Sequence, residues 1–228
     1  MKNLIALIIL ILTFAESNAQ DVNKIVANLK TELDKVKDFQ ADLKVKIDIS
    51  YLNAPEQVGK IYYKEPNKSK VDIKGFNLLP KQGSGNIVSE IINDPKNTLV
   101  YSGTEIVNGA KTSIIKVIPN DQTKDLALAT LWVDESKNVV VKIENITKKS
   151  GTFNISINYL KFENKYYMPI NVLVKLNVPE FSLPSTITGE NAAKAAQKKK
   201  GSNTEGTVSF TYSNYVINKG VSNSIFEK

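Results

Sequence analysis

Cysteine, histidine and arginine are all missing from this chain of 228 residues. Without cysteine the chain can form no disulfide, offers no thiolate and has no cysteine for an N-terminal lipid anchor. Without histidine it lacks the commonest general base, the imidazole of catalytic triads and the usual ligand of zinc and iron. No Gly-rich phosphate loop, paired-carboxylate spacing or nucleophile beside a recognisable base replaces them. We therefore expect a protein that is not an enzyme and that binds no metal or other cofactor.

The basic residues of the chain number thirty, all of them lysine, and the formal net charge is +7. Arginine is the residue best suited to bidentate recognition of guanine or phosphate, so its absence argues against sequence-specific nucleic-acid binding. We expect no nucleic-acid partner. The simplest interpretation of the excess lysine is a charged, soluble surface, and the alternative is attraction to anionic lipid head groups.

The first nineteen residues have the pattern of a secretory signal. Lys2 precedes an apolar run over residues 4–14, and Ser17 and Ala19 place small side chains where a signal peptidase reads the chain. An uncleaved anchor is the alternative, although the apolar run is shorter than the ~20 residues that a membrane span needs. We predict cleavage after Ala19 and a single exported domain over residues 20–228.

The segment after the signal predicts an amphipathic helix that begins with Asp21 as its N-cap. Its apolar residues recur at steps of three and four, which is the period of a helix of about five turns that covers a core. They are Val22, Ile25, Val26, Leu29, Leu33, Val36 and Phe39. A long strand over residues 43–51 follows, in which apolar and polar residues alternate.

Most of the remaining chain predicts strands separated by turn signals. A hairpin folds about Pro66-Asn67, and a second hairpin, over residues 106–118, folds about Asn108-Gly109. Further strands are predicted at 98–104, 126–133, 139–147, 152–162, 170–178 and 207–215, and a short helix at 87–92. Consecutive hairpins of this kind indicate one large antiparallel sheet.

The predicted sheet has more apolar surface on one face than one long and one short helix can cover. Because soluble proteins avoid large exposed apolar patches, we expect the sheet to curl into an unclosed half-barrel around its helices, leaving an apolar cavity. A closed core without a usable cavity is the alternative. The residues predicted to face inward, and so to be candidates for ligand binding, are Leu43, Val45, Ile47, Ile49, Ile61, Tyr63, Val71, Ile73, Val141, Ile143, Ile155, Ile157, Val172 and Val174.

A loop-like stretch at about residues 180–206 interrupts the strands and ends in a lysine- and alanine-rich run. Insertions of this length between strands are usually disordered or functional. The functional interpretation makes Phe181, Leu183 and Ile187 a lid beside the cavity, and the alternative is a flexible, solvated flap.

Four segments, taken in chain order, carry a resemblance to a known family. They read VKDFQADLKVKI, GKIYYKEPNKSKVDI, LWVDESKNVVVKIE and YSNYVINKGVSNSIFEK. Together they resemble the periplasmic outer-membrane lipoprotein-carrier (LolA-like) family. The resemblance implies a mainly β fold of the α+β type, an unclosed antiparallel half-barrel whose N-terminal amphipathic helix and short helices cover the concave face. It also implies a periplasmic location and a hydrophobic cavity that accepts acyl chains of lipoproteins.

One position departs from the family in a way that bears on mechanism. The best-known carriers have an arginine just before the Pro-Asn pair, and that arginine helps to control entry and release of the acyl groups. Here the position is Glu65, and Lys64 and Lys68 are the nearest cations. The resemblance therefore makes Lys64, Glu65 and Lys68 gate candidates, and the alternative is that all three are solvated turn residues.

Taken together, the sequence predicts a soluble, monomeric periplasmic carrier. Its cargo would be an acylated lipoprotein or a lipid bound for the outer membrane, with transfer partners in the inner and outer membranes. Two alternatives stay open: a periplasmic sensor of the same fold that binds a membrane-anchored regulator, and a small outer-membrane β-barrel.

Overall fold

The structure, a computed structural model, describes residues 17–49, 55–66, 68–73, 87–178 and 204–227. Two α-helices lie in these ranges, α1 (Ser17–Leu33) and α2 (Ile87–Asn93), and Asn223–Ile225 forms one 3-10 turn. The strands are β1 (Asp38–Ile49), β2 (Gln57–Lys64), β3 (Lys68–Asp72), β4 (Asn97–Val107), β5 (Ala110–Pro119), β6 (Leu126–Asp134), β7 (Val139–Thr147), β8 (Thr152–Phe162), β9 (Tyr166–Val178) and β10 (Thr204–Ile217). Neither helix is long and apolar enough to cross a membrane.

All ten strands belong to one antiparallel sheet, in the order β3-β2-β1-β10-β9-β8-β7-β6-β5-β4. Strands β3 and β4 are its two edges and are not paired with each other, so the sheet is open. The predicted mainly β fold, an unclosed half-barrel with a helix, is confirmed. In the middle of the described sheet the first strand, β1, pairs with the last, β10, whereas all other neighbouring strands are consecutive in the chain.

Local sequence explains several of the strand connections. Asn108 and Gly109 both have positive φ, +50° and +79°, as the predicted tight hairpin between β4 and β5 requires. At Gly59 on β2, a Cβ atom would lie 2.1 Å from the backbone oxygen of Asp72 on β3. Any larger residue at position 59 would therefore push the β2-β3 hairpin apart.

The N-terminal helix differs from its prediction at both ends. It begins at Ser17 rather than at Asp21, and it ends at Leu33, so Val36 and Phe39 lie outside it. Phe39 is in β1, opposite Tyr63 of β2 and Ile217 of β10. The helical spacing fails here because Phe39 also continues the alternating apolar pattern of β1, and pairing with strands on both sides satisfies its backbone as well as its side chain.

Asn218 fixes the connection between α1 and β1. Its side-chain Oδ1 accepts hydrogen bonds from the backbone N–H groups of Lys37 (2.7 Å) and Asp38 (3.2 Å). Its Nδ2 donates to the carbonyl oxygen of Lys35 at 2.8 Å. These bonds join the end of β10 to the turn between α1 and β1.

Strand boundaries also differ at three places. Strand β4 runs without interruption from Asn97 to Val107, across the break predicted after residue 104, whereas β9 begins four residues before its predicted start. Strand β10 is longer than predicted at both ends. The short helix predicted at 87–92 is confirmed as α2.

Two clusters of buried apolar residues fill the concave side of the sheet. One lies on β1, β2, β9 and β10 and includes Phe39, Leu43 and Val45. The other packs α1 and α2 against β5, β6, β7 and β8, with Leu29 and Leu131 among its members. Because α1 and α2 cover one part of the concave face, space is left between the end of α1 and the other part.

Candidate ligand-binding cavity

A cavity of about 310 Å³ lies between the C-terminal half of α1 and the concave face of the sheet. On the helix side it is lined by Leu29, Leu33 and, in the turn that follows, Val36. On the sheet side it is lined mainly by residues of β1, β2, β8, β9 and β10. The volume falls at the lower end of the range of about 300–1,000 Å³ that is typical of small-molecule sites. The lining is mostly aliphatic and aromatic, so it fits an apolar ligand.

Half of the predicted inward-facing residues line this cavity. They are Leu43, Ile61, Tyr63, Ile155, Ile157, Val172 and Val174. Six others pack into or against the two buried clusters without lining the cavity, namely Val45, Ile47, Ile49, Val71, Ile73 and Ile143. Their role in ligand binding stays a prediction, because burial alone does not separate a packing residue from one that a ligand touches.

Val141 does not line the cavity. The pairing of β6 with β7 shifts register here, with Val133 opposite Val140 and Trp132 opposite Lys142. Val141 is therefore left without an opposite residue on β6, and Val140 lines the cavity in its place. A strict period of two cannot anticipate such a bulge.

Sequence reasoning missed an aromatic group on the sheet side of the cavity. Phe210 and Tyr212 lie on β10 at a spacing of two, and Tyr215 joins them because the register of β10 against β1 shifts between Ser213 and Val216. Tyr159 of β8 completes the group. The alternation of Phe210 and Tyr212 was the signal available in the sequence.

The three tyrosines of this group put hydroxyls into apolar surroundings. Tyr159 donates a hydrogen bond to the carbonyl oxygen of Val140 (3.1 Å), and Tyr215 donates to that of Pro169 (2.6 Å). Burial raises the pKa of Tyr159, Tyr212 and Tyr215. The hydroxyls are therefore neutral, and they add polarity to the cavity without adding charge.

Glu32 of α1 is the one acidic side chain among the described residues that line the cavity. The side chain is only 10% exposed, and its Oε2 forms an ion pair with Lys35 at 2.5 Å. The other oxygen, Oε1, is buried and has no hydrogen-bond partner among the residues that the structure describes.

Comparison with solved structures identifies the fold. A domain named for outer membrane lipoprotein sorting, from Vibrio parahaemolyticus, superposes with a TM-score of 0.62 over 92% of this chain and 97% of that one, at 14% identity. A LolA superfamily protein from Nitrosomonas europaea superposes with a TM-score of 0.56 over 91% and 97% of the two chains, at 12% identity. The protein has a LolA-like fold.

A third similar structure is a DUF1329 family protein from Desulfovibrio piger, with a TM-score of 0.60, 13% identity and coverage of 90% of this chain and 96% of that one. No family model matches the sequence. No curated protein matches it either. The similarity is therefore one of fold, because these sequence identities are too low to transfer a function to this protein.

The gate candidates of this LolA-like fold lie outside the cavity lining. Lys64 donates a hydrogen bond to the carbonyl oxygen of Val221 (2.9 Å), and Lys68 donates to Oδ1 of Asn223 (3.3 Å). Glu65 accepts from Nζ of Lys37 at 3.0 Å. All three therefore bind other parts of the protein in this structure, and a role in gating stays a prediction.

Lys70 makes a similar bond to the chain end, to the carbonyl oxygen of Ile225 at 2.7 Å. Three lysines of the β2-β3 hairpin thus hold residues 221–225, and we call this set of contacts the C-terminal clasp. The lid candidates Phe181, Leu183 and Ile187 lie outside the described residues.

Proposed function

We propose that the protein is an exported carrier that binds an acyl chain of a lipoprotein or lipid in the cavity and delivers it toward the outer membrane. The observation that carries the proposal is the cavity itself. It is apolar, about 310 Å³ in volume, and bounded by a helix on one side and a sheet on the other. An acyl chain is the common cellular ligand that such a lining can desolvate without needing polar partners along its length.

Two further observations support the proposal. Two of the similar structures are named for lipoprotein sorting and for the LolA superfamily, and they share this architecture over more than nine-tenths of the chain. The pattern of residues 1–19 fits a cleaved export signal. These observations support a periplasmic carrier made of the single domain 20–228, for which we propose transfer partners in both membranes.

Mass spectrometry of the molecules that copurify with the protein from its own cell envelope tests the cargo. Acylated polypeptides would support the lipoprotein carrier, and free phospholipid would redirect the proposal to a lipid shuttle. A single membrane protein, recovered without lipid, would overturn the carrier in favour of a periplasmic sensor.

Filling the cavity tests whether it is the binding site. Val174 of β9 lines the cavity, and Val174→Phe would place a ring in the space proposed for the acyl chain. Val58→Phe is the matched control, because Val58 of β2 is 65% exposed and does not line the cavity. We expect a loss of roughly tenfold or more in affinity for N-phenyl-1-naphthylamine, an uncharged fluorescent probe of apolar sites, in Val174→Phe alone. Equal affinity in both folded variants would place binding elsewhere.

A further inference from the structure

Glu32 places a carboxylate in a cavity whose lining is otherwise mostly aliphatic and aromatic. Around it, Leu29, Leu33 and Val36 line the cavity from the same helix and turn. Its Oε2 is occupied by Lys35, but its Oε1 is buried without a partner. A buried acceptor that makes no hydrogen bond is costly, and such groups are rare in folded proteins.

The other polar side chains of the described lining are tyrosine hydroxyls and the amide of Asn138, and none of them is a carboxylate. Tyr159 and Tyr215 already donate their hydroxyl protons to backbone carbonyl oxygens. A carboxylate only accepts hydrogen bonds, and its negative charge attracts a cation or a polarised N–H or O–H group while it repels another carboxylate. Glu32 therefore marks one position in the cavity that suits a hydrogen-bond donor.

We propose that Glu32 binds the polar end of the ligand, and that this end carries an N–H or O–H donor next to the apolar chain. The inference rests on the proposed function, since it assumes that the chain occupies the cavity. It narrows the ligand class to amphiphiles with an amine, amide or hydroxyl group, as opposed to free fatty acids. Lys35 holds the carboxylate in place through the ion pair and partly offsets its charge.

The net charge of the protein makes the proposal easy to test. A surface with a formal charge of +7 attracts anionic amphiphiles in a general way, so non-specific electrostatics favours a carboxylate over an amine. The proposed role of Glu32 predicts the opposite order. Dodecylamine, dodecanol and dodecanoate share one chain and differ only at the head, so their competition with N-phenyl-1-naphthylamine isolates the head-group preference.

The protein, expressed from its full-length sequence, is compared with three variants below the critical micelle concentrations of the competitors. Glu32→Gln keeps the shape of the side chain and removes its charge. Lys35→Gln leaves the Glu32 carboxylate but removes the lysine that forms an ion pair with it. Glu56→Gln is the control, because Glu56 pairs with Lys44 at 3.0 Å on an exposed surface, away from the cavity.

In the unaltered protein we expect dodecylamine and dodecanol to bind roughly tenfold more tightly than dodecanoate. Glu32→Gln should reduce the preference for the amine over dodecanoate to about threefold or less, and Lys35→Gln should increase it, whereas Glu56→Gln should leave it unchanged. A purely structural role for Glu32 would change all three competitors alike.

Two outcomes would overturn the inference, and they separate it from the proposed function. If the probe and all competitors bind but Glu32→Gln leaves the size of the preference for the amine over dodecanoate unchanged, the inference fails and the acyl-binding cavity stands. If neither the probe nor any competitor binds the unaltered protein, the proposed function fails, and the inference fails with it.

Discussion

A charge placed at Ile47 tests the inward face of β1. Ile47 is 8% exposed and lies in a buried cluster with Val45 and Ile49 on the same face of the strand. It lies opposite Val208 of β10, in the strand pair that joins the first strand of the described sheet to the last. The variant Ile47→Asp therefore puts a carboxyl group at the joint between the first and last strands.

The size of the effect follows from two terms. Removing a buried isoleucine side chain from its apolar surroundings forfeits about 1.5–3 kcal/mol of burial free energy. The new carboxyl group must in addition be buried without a partner or force the strand to open, at about 1–3 kcal/mol more. The sum is roughly 2.5–6 kcal/mol, a large part of the 5–15 kcal/mol that is typical of a whole domain.

Urea unfolding monitored by tryptophan fluorescence measures this loss. The chain has one tryptophan, Trp132, which is buried on β6 and donates a hydrogen bond from Nε1 to Glu105 at 2.6 Å. Four strands separate β6 from β1 in the sheet, so the signal reports unfolding of the sheet as a whole and not a local change at position 47.

The control is the neighbouring substitution Lys46→Asp. Lys46 is exposed on the opposite face of β1 and lies opposite Ser209. We expect its effect on the free energy of unfolding to be below ~0.5 kcal/mol. An unfolding midpoint for Ile47→Asp equal to that of Lys46→Asp, with an unchanged slope, would refute the assignment of faces in β1.

Two further predictions concern charged side chains. Asp134 is buried, and although burial raises its pKa, the hydrogen bond from Lys137 and its other partners lower it overall below 3.8. The stability it contributes is therefore present above its unfolded pKa and is lost as pH falls through the lower folded value. Asp134→Asn should therefore lower the urea midpoint more at pH 7 than near pH 2, and an equal loss at both pH values would contradict this. For the gate, Glu65→Arg and the double variant Lys64→Ala with Lys68→Ala should each change the release rate of a fluorescent anionic phospholipid, with a weaker salt dependence in the double variant. Unchanged release from folded variants would leave these residues with their structural contacts alone.

Local patterns predicted most of the strands because each is bounded by a turn with its own signal. Strands β6, β7 and β8 begin and end within about a residue of their predicted limits. The start of β1 was wrong because Phe39 fits both the helical period of α1 and the alternation of the strand. Tertiary pairing decided between them, through Tyr63 and Ile217.

The cavity was harder to predict than the sheet. Leu43 and Val45 have the same place in the alternating pattern, yet Leu43 lines the cavity whereas Val45 is packed within the core. The pattern does not contain the long-range contacts that arrange the cavity, such as the hydrogen bonds of Asn218 to Lys37 and Asp38 between α1 and β1. An alternating pattern gives the face of a residue, but not which neighbour covers that face.

Three of the four segments that carried the family resemblance lie in the neighbouring strands β3, β2, β1 and β10, and the third lies in β6 and β7. The second and the fourth of these segments are joined by the C-terminal clasp, in which Lys64 and Lys68 bind Val221 and Asn223. The clasp holds the hairpin whose inner face supplies Ile61 and Tyr63 to the cavity wall. These two segments therefore form part of the cavity wall and hold it in place.

Part of the cavity lining lies outside the resembling segments. Glu32, which is proposed to bind the polar end of the ligand, precedes the first of the resembling segments. Ile155, Ile157, Val172 and Val174, which line the cavity together with residues of those segments, lie between the third and the fourth. A change at these positions can alter the shape and polarity of the cavity while the clasp and the sheet pairing stay intact. The test at Glu32 therefore addresses the proposed ligand separately from the fold.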